Sequence, residues 1–196
     1  MKILNKDNQS GRSMIEMLGV LAIIGVLSVG GISGYSKAMA KYKLTKAQDQ
    51  ITMLLMNVRT AYATSPNYAN LTPKTAIEYN LAPNEMAAST ASTGTLYGAF
   101  GGKVVVASCD HTSLVTCCGT TDTVTGSTYF GIKMEGLGKE ACRSLATSDW
   151  GADGLVSIYV EGGSGKVKHT PSQGAIPLSA TGLCSGETNT ITWTYY

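Results

Sequence analysis

The feature that most constrains this chain is a long apolar run near its amino end. Residues 14 to 32 read MIEMLGVLAIIGVLSVGGI and are apolar except for Glu16 and Ser28. At about 19 residues, the run is close to the length that an α-helix needs to cross a bilayer. It contains no proline, and its glycines permit close helix packing in lipid. The run therefore predicts a membrane-spanning helix.

Three ordinary interpretations of this run each leave something unexplained. A cleavable secretory signal would use Ala38-Met39-Ala40, but the run exceeds the ~7–15 residues of a signal core and holds an acid near its start. A plain membrane anchor leaves Glu16 without a purpose, because an unpaired carboxylate in lipid costs on the order of a few kcal/mol. A buried helix of a soluble protein fits a span of this length poorly.

The residues around Glu16 favour a fourth interpretation. A polar start containing Lys2 and Lys6 leads into GRSMIE, residues 11 to 16. This pattern resembles the processing site of type IV prepilins, in which a short basic leader ends in Gly and the mature helix has Glu at its fifth position. The resemblance implies that prepilin peptidase cuts between Gly11 and Arg12 and that the new amine of Arg12 is N-methylated. Arg12 departs from the apolar residue that usually begins a mature pilin.

Charge pairing supplies a role for Glu16 that does not depend on the family. A carboxylate in lipid needs a positive partner, and the α-amine at the start of a neighbouring subunit would provide one. Leaving one member of a buried ion pair without its partner is strongly unfavourable. We therefore hypothesise that Glu16 acts in subunit assembly as a device that sets the register between neighbouring subunits.

The helical pattern continues beyond the apolar run. Apolar side chains recur at spacings of three to five residues, which predicts an amphipathic stripe; they are Tyr35, Met39, Tyr42, Ala47, Ile51, Leu54, Leu55, Val58 and Tyr62. Ser65-Pro66-Asn67 then predicts the end of the helix. A helix over residues 14–63 would be ~75 Å long. Because no bilayer needs that length, we expect its first half in lipid and its second half against the following domain.

The lysines after the apolar run bear on which side of the membrane the following domain occupies. Lys37, Lys41, Lys43 and Lys46 outnumber the three basic residues before it, so the positive-inside rule alone would make the following domain cytoplasmic. A cysteine-rich, threonine-rich domain suits an exported compartment better, and pilins have that orientation. We therefore expect the head in the periplasm.

The second half of the chain shows strand patterns separated by turns. Four segments are rich in β-branched and aromatic residues: residues 103–107, 128–135, 155–160 and 190–195. The sequence at residues 161–166 predicts a hairpin loop. This stretch ends in Lys166, and the next residue is not the Ser or Thr that a phosphate loop requires after its lysine. Residues 86–95 predict a solvated surface loop.

A short helix and the cysteines add to the family resemblance. In residues 136–151 one apolar helical face is formed by Ala141, Cys142, Leu145 and Ala146. This stretch, with a last cysteine at Cys184, resembles the type IVb pilins, the group of the toxin-coregulated and conjugative-plasmid pilins. The resemblance implies a disulfide between Cys142 and Cys184, which bounds a C-terminal region.

The other three cysteines allow two interpretations. Cys109 could pair with Cys117 or with Cys118 and close a small loop, which leaves an odd thiol. Cys109 and His111, with Cys117 and Cys118, also offer metal ligands. Because zinc sites usually show more regular spacing and the expected compartment is oxidising, the disulfide is favoured and no metal is expected.

Composition argues against a nucleic-acid partner and against catalysis. Fifteen basic and thirteen acidic residues nearly cancel, so the chain lacks the large excess of positive charge that is typical of nucleic-acid-binding proteins. The two histidines lie in no recognisable nucleophile or metal motif. Glu135 with Glu140, and Asp149 with Asp153, are typical of solvated helix and turn surfaces. We expect no enzyme activity and no cofactor.

Together these patterns predict an α+β protein in which a long N-terminal helix, half of it transmembrane, packs on an antiparallel β-sheet. We expect a leader peptide at 1–11, a transmembrane and assembly segment at 12–35, an amphipathic helical segment at 36–65 and a globular α+β head at 66–196.

The resemblance implies a structural pilus subunit that serves adhesion, aggregation, motility or DNA transfer. Its partners would be further copies of itself, prepilin peptidase, the pilus assembly machinery and the inner membrane before assembly. It would sit in the inner membrane with a periplasmic head and then in an extracellular pilus. The alternatives are a minor pilin, a type II secretion pseudopilin, or a membrane-anchored binding protein that does not polymerise.

Overall fold

The computed structural model describes residues 9–87, 94–109, 128–151, 154–162, 165–170, 176 and 184–196. It divides into two compact units, Met1–Tyr42 and Lys43–Tyr196. The described helices are α1 (Gln9–Ala61), α2 (Pro73–Glu78) and α3 (Lys139–Thr147). The described strands are β1 (Leu96–Tyr97), β2 (Lys103–Cys109), β3 (Tyr129–Leu137), β4 (Leu155–Gly162), β5 (Gly165–His169) and β6 (Asn189–Tyr195).

Helix α1 confirms the predicted long helix and ends two residues earlier than expected, before turns that lead to Pro66. The predicted stripe forms a buried face in the second unit, where four side chains at helical spacing have no exposed surface: Ala47, Ile51, Leu54 and Val58. The expectation was wrong for Tyr35 and Tyr42, which are 68% and 61% exposed. Periodicity marks one face of a helix, but it does not show where the core that covers that face begins.

The sheet is antiparallel throughout, with the strand order β1-β2-β3-β6-β4-β5. The four predicted strand segments correspond to β2, β3, β4 and β6. The short strands β1 and β5 were not predicted, although β4 and β5 form the expected hairpin, whose residues 163 and 164 lie outside the described residues. The last strand of the sequence, β6, lies between β3 and β4, and its Trp193 is in register with Ile132 and Ile158.

One face of the sheet and the buried face of α1 form a common core. Strand residues that alternate toward this side are fully buried; they include Val104, Val106, Phe130, Ile132, Met134, Ile191, Trp193 and Tyr195. Met86 also belongs to this core, with no exposed surface. The predicted solvated loop at residues 86–95 was therefore wrong at its start, because Ala87 bridges Leu96 and brings the adjacent Met86 inward. Residues 88–93 of that loop lie outside the described residues.

The two short helices have local causes. Helix α2 begins with a reciprocal cap, because Thr75 N donates to the Thr72 hydroxyl at 3.2 Å and Thr72 N donates to the Thr75 hydroxyl at 2.8 Å. Pro73 at the first helical position fits this start. Helix α3 confirms the helix predicted within residues 136–151, and Cys142 and Leu145 on its apolar face are fully buried.

Candidate assembly site

The amino-terminal part of α1 carries an apolar surface that the described protein leaves uncovered. Within the described residues, α1 is the one helix long and apolar enough to cross a membrane, and none of its most apolar window is buried. Its large apolar side chains are 52% to 75% exposed; they are Met14, Ile15, Met17, Leu18, Val20, Leu21, Ile23, Ile24, Val26, Leu27, Val29 and Ile32. Because consecutive helical residues are rotated by about 100°, these positions cover every side of the helix.

A helix that is apolar on all sides is stable only in apolar surroundings. Full burial of each Leu, Ile, Val or Met side chain contributes about 1.5–3 kcal/mol, so twelve such groups strongly favour lipid or a bundle of like helices. A Cβ added at any of five glycines would meet no atom of the described residues within 4 Å; these are Gly19, Gly25, Gly30, Gly31 and Gly34. They leave room for the backbone of another helix to approach closely.

The residues predicted for processing and assembly lie at the start of this segment. Gly11, Arg12 and Glu16 all belong to α1. Arg12 and Glu16 are four residues apart, which is about one helical turn. The Glu16 side chain is exposed, next to Met14 and Ile15. Cleavage after Gly11, methylation of Arg12 and the assembly role of Glu16 stay predictions.

The disulfide between Cys142 and Cys184 is confirmed. It joins the two cysteines across 42 residues, with their Cα atoms 5.9 Å apart. Both residues are buried, Cys142 completely and Cys184 to all but 1%. The bond ties α3 to the segment that leads into β6, so the hairpin of β4 and β5 lies inside the closed loop.

The second cysteine group is described only at Cys109. Cys109 is disulfide-bonded and lies at the end of β2, nearly buried. Cys117, Cys118 and His111 lie outside the described residues, so the choice between Cys117 and Cys118 stays a prediction. Within the described part of the chain, no group of three or more His, Cys, Asp or Glu side chains is placed to hold a metal ion.

A buried amide connects α1 to two loops of the head. Gln50 is 2% exposed, and its side-chain nitrogen donates to Glu85 Oε1 at 2.8 Å. Its side-chain oxygen accepts from the backbone nitrogen of Ala99 at 2.9 Å. Lys46 Nζ lies 2.9 Å from Glu85 Oε2. The hydrogen bond from Lys46 is the largest cause, and the one from Gln50 the next, of a pKa of Glu85 below its usual 4.5.

A second connection joins the end of α1 to the last strand. The guanidinium carbon of Arg59 lies 5.3 Å from the ring centre of Tyr195, at the distance of a cation–π interaction. Tyr195 is fully buried and stacks on Phe130 with ring centres 5.7 Å apart. Burial raises the pKa of Tyr195 far above 10.0, although the charge of Arg59 opposes this. Sequence reasoning missed both connections, because Gln50 and Arg59 resemble ordinary solvated positions between apolar ones.

The carboxylates considered as candidate pairs make surface interactions. Glu135 Oε1 pairs with Lys133 Nζ at 2.7 Å on its own strand. Asp149 Oδ1 accepts from the backbone nitrogen of Gly151 at 2.9 Å and so closes a turn. Glu140 lies exposed in the first turn of α3, and Asp153 lies outside the described residues. None of these contacts, taken among the described residues, forms a constellation for acid–base chemistry.

Comparisons with known proteins agree on one kind of molecule. Residues 41–196 match the family model described as "PilS N terminal". A type IVb pilin from Salmonella typhi is similar in structure, with a TM-score of 0.52 and 23% identity over 79% of this chain and 98% of that chain. TcpA, a type IV pilin from Vibrio cholerae El Tor biotype, gives a TM-score of 0.52 and 18% identity over 79% of this chain and 99% of that chain. Among curated protein sequences, none matches the chain.

Proposed function

Because the chain belongs to the PilS N terminal family and has the fold of the type IVb pilins, we propose that it polymerises into a pilus through the apolar part of α1. The family makes it a structural pilus subunit, and the exposed apolar surface of α1 from Met14 to Ile32 is the observation that carries the proposal. A surface of that kind must exchange lipid for other apolar helices when the subunit leaves the membrane. Because lipid and helix are both apolar, close packing at the glycines and a polar pair must guide the association.

Processing creates the polar partner that assembly needs. In the proposed sequence of events, prepilin peptidase cuts between Gly11 and Arg12, and the new amine on Arg12 is methylated. Glu16 then meets the amine of a neighbouring subunit. Removal of the charged leader also takes away Lys2, Lys6 and Asp7, which cannot follow the helix into an apolar bundle at low cost.

The disulfides support an exported head. Cys142 and Cys184 form a buried bond, and Cys109 is also disulfide-bonded. Disulfides persist in the periplasm and outside the cell but are rare in the cytosol. We therefore propose that the subunit waits in the inner membrane with its head in the periplasm, and that the assembly machinery moves it into an extracellular filament.

N-terminal mass analysis of the mature protein tests processing. We expect a chain that begins at Arg12, with a methylated amine, both in membranes and in filaments sheared from the cell surface. A chain that begins at Met1 in both fractions, or at Lys41, would contradict the prepilin interpretation. Absence from the sheared fraction despite cleavage would favour a minor pilin or a pseudopilin.

A matched pair of substitutions on α1 tests the role of Glu16. We expect Glu16→Gln to be cleaved normally but to reduce sheared filaments at least tenfold, because the apolar bundle then lacks its ion pair. Asp49→Asn removes one negative charge from an exposed position of the same helix and should leave filament yield unchanged. Normal filaments from the Glu16 variant would instead mean that assembly needs no ion pair at Glu16.

A further inference from the structure

A band of exposed tyrosines and lysines follows the apolar segment of α1. Tyr35 and Tyr42 are 68% and 61% exposed, and Lys37 and Lys41 are exposed as well. All four belong to the first unit, so the core that buries the later part of α1 does not include them. The stripe pattern had predicted buried tyrosines here, and their exposure requires another explanation.

The charge around this band has one sign. From residue 17 to residue 48 the sequence contains no Asp or Glu, whereas it contains Lys37, Lys41, Lys43 and Lys46. Lys46 pairs with Glu85. Among the described residues, Lys37 and Lys41 make no ion pair. The band therefore presents positive charge for which the protein itself provides no neighbouring acid along the helix.

The band begins where a membrane's hydrocarbon core would end. A helix from Met14 to Gly34 rises about 31 Å, close to the ~30 Å of a bilayer core. From Tyr35 to Tyr42 the rise is about 10 Å, comparable to the headgroup region of one leaflet, on the order of 5–8 Å. Tyrosine is enriched at that depth, because its ring is apolar and its hydroxyl is polar.

The arrangement around the helix axis fits a membrane plane better than a protein partner. Tyr35 and Tyr42 are seven residues apart and share one side of the helix, as do Lys37 and Lys41, which are four apart. Lys37 is rotated by about 200° from Tyr35, so the pairs occupy roughly opposite sides. A docked protein would engage one side, whereas a membrane plane crossing the axis contacts the helix on all sides.

We propose that Tyr35, Lys37, Lys41 and Tyr42 form a headgroup-binding collar, which holds the unassembled subunit at the membrane surface by contact with anionic phospholipids. This inference rests on the membrane stage of the proposed function. The tyrosine rings lie at the boundary of the hydrocarbon, and the ammonium groups bind lipid phosphates. Under the positive-inside rule, Lys37 and Lys41 count against the expected periplasmic orientation of the head. In the collar, these two lysines have a binding role.

Lipid selectivity of the inserted, full-length chain tests the collar. The chain is reconstituted into vesicles of equal parts phosphatidylcholine and phosphatidylglycerol, and insertion is checked by flotation after alkaline carbonate treatment. The bilayer around the protein is then excised with styrene–maleic acid copolymer, and the copurified lipids are quantified. We expect the ratio of phosphatidylglycerol to phosphatidylcholine around the protein to be about threefold higher than in the vesicles, and we expect high salt to reduce this enrichment.

Two double variants make the measurement specific. Lys37→Gln with Lys41→Gln should lower the enrichment to the vesicle composition, whereas Lys103→Gln with Lys139→Gln, exposed lysines of the head, should leave it unchanged. Equal enrichment in all three proteins, or no enrichment in the unaltered chain, would overturn the collar while leaving the membrane stage intact. Failure of the unaltered chain to resist carbonate would overturn both proposals.

Discussion

The side-chain nitrogen of Gln50 donates a hydrogen bond of 2.8 Å to Glu85 Oε1, although Gln50 is 2% exposed and lies among the apolar residues of α1. The oxygen of the same amide accepts from Ala99 N at 2.9 Å. One buried side chain thus fixes two loops of the head to the helix. Because buried polar groups are costly when unpaired, this connection sets the position of both loops.

Replacing this amide should destabilise the head. We expect Gln50→Leu to lower the free energy of unfolding by about 2 kcal/mol, because Ala99 N and Glu85 each lose a partner. Guanidinium unfolding of the full chain in detergent, followed by the fluorescence of Trp150 and Trp193, measures the loss. Gln48→Leu is the matched control, since Gln48 is only partly buried and donates to Ser148 Oγ at 2.8 Å. Equal losses in the two variants would contradict the expected role of Gln50.

The Lys46–Glu85 pair should make stability depend on pH. The pKa of Glu85 is lowered below 4.5 in the folded protein, so its contribution is present above 4.5 and is lost as the pH falls through the lowered value. We expect Lys46→Gln to destabilise the protein near neutral pH and to have little effect once Glu85 is protonated.

Unfolding measured at several pH values for both proteins checks this, together with a carboxyl NMR titration of Glu85. Lys74→Gln serves as the control, because Lys74 and Glu78 are 3.8 Å apart on the surface. A constant difference between the unaltered protein and the Lys46 variant at all pH values would contradict the pairing.

Removing the Cys142–Cys184 disulfide should cost the head a large part of its stability. For a closed loop of 42 residues, restriction of the unfolded chain contributes about 4 kcal/mol on the entropic model. We expect Cys142→Ser with Cys184→Ser to lose an amount of that order, measured by denaturant unfolding under non-reducing conditions. Cys142→Ala with Cys184→Ala separates the loss of the bond from the burial of two hydroxyls. A loss below about 1 kcal/mol in the alanine pair would contradict the expectation.

Gly154 and Gly151 allow a matched test of the Arg59–Tyr195 contact. Both glycines have left-handed backbones, with φ of +76° and +72°. Substitution of either glycine by alanine should therefore lower the free energy of unfolding by about 1–2 kcal/mol through backbone strain. A Cβ at Gly154 would also overlap the Arg59 guanidinium, whereas one at Gly151 would meet no atom of the described part of the chain within 4 Å.

We expect Gly154→Ala to lower the free energy of unfolding by about 1 kcal/mol more than Gly151→Ala, because Arg59 must leave the ring of Tyr195. Denaturant unfolding of the two variants side by side measures this difference. In an Arg59→Ala background the difference should disappear. A difference that persists there would mean that the extra cost of Gly154→Ala comes from a contact other than Arg59.

Much of the fold follows from local patterns in the sequence. The apolar run from Met14 and the stripe through Val58 predict α1, because helical periodicity depends only on neighbouring residues. Four of the six strands among the described residues follow in the same way from runs of β-branched and aromatic residues. The sequence patterns did not predict β1, β5 or α2, because segments of two to six residues carry too little pattern.

The candidate site, like the fold, could be predicted from local sequence only in part. Resemblance to a prepilin processing motif predicted Gly11, Arg12 and Glu16, and such a motif can be read locally because it is a contiguous string. The Cys142–Cys184 pairing followed from resemblance to a family, since cysteine spacing alone allows several connectivities. Local sequence placed Tyr35 and Tyr42 in the buried stripe, and only the structure showed them exposed.

By itself, the sequence determined the long helix, its apolar first part, the acid at Glu16 and most strand segments, because each depends on interactions between residues close along the chain. Only the tertiary structure decided that β6 lies between β3 and β4, that Gln50 joins two loops and that Arg59 covers Tyr195. Those relationships bring together residues from 27 to 136 positions apart. Such contacts depend on how all the elements pack at once, and no local pattern in the sequence records that packing.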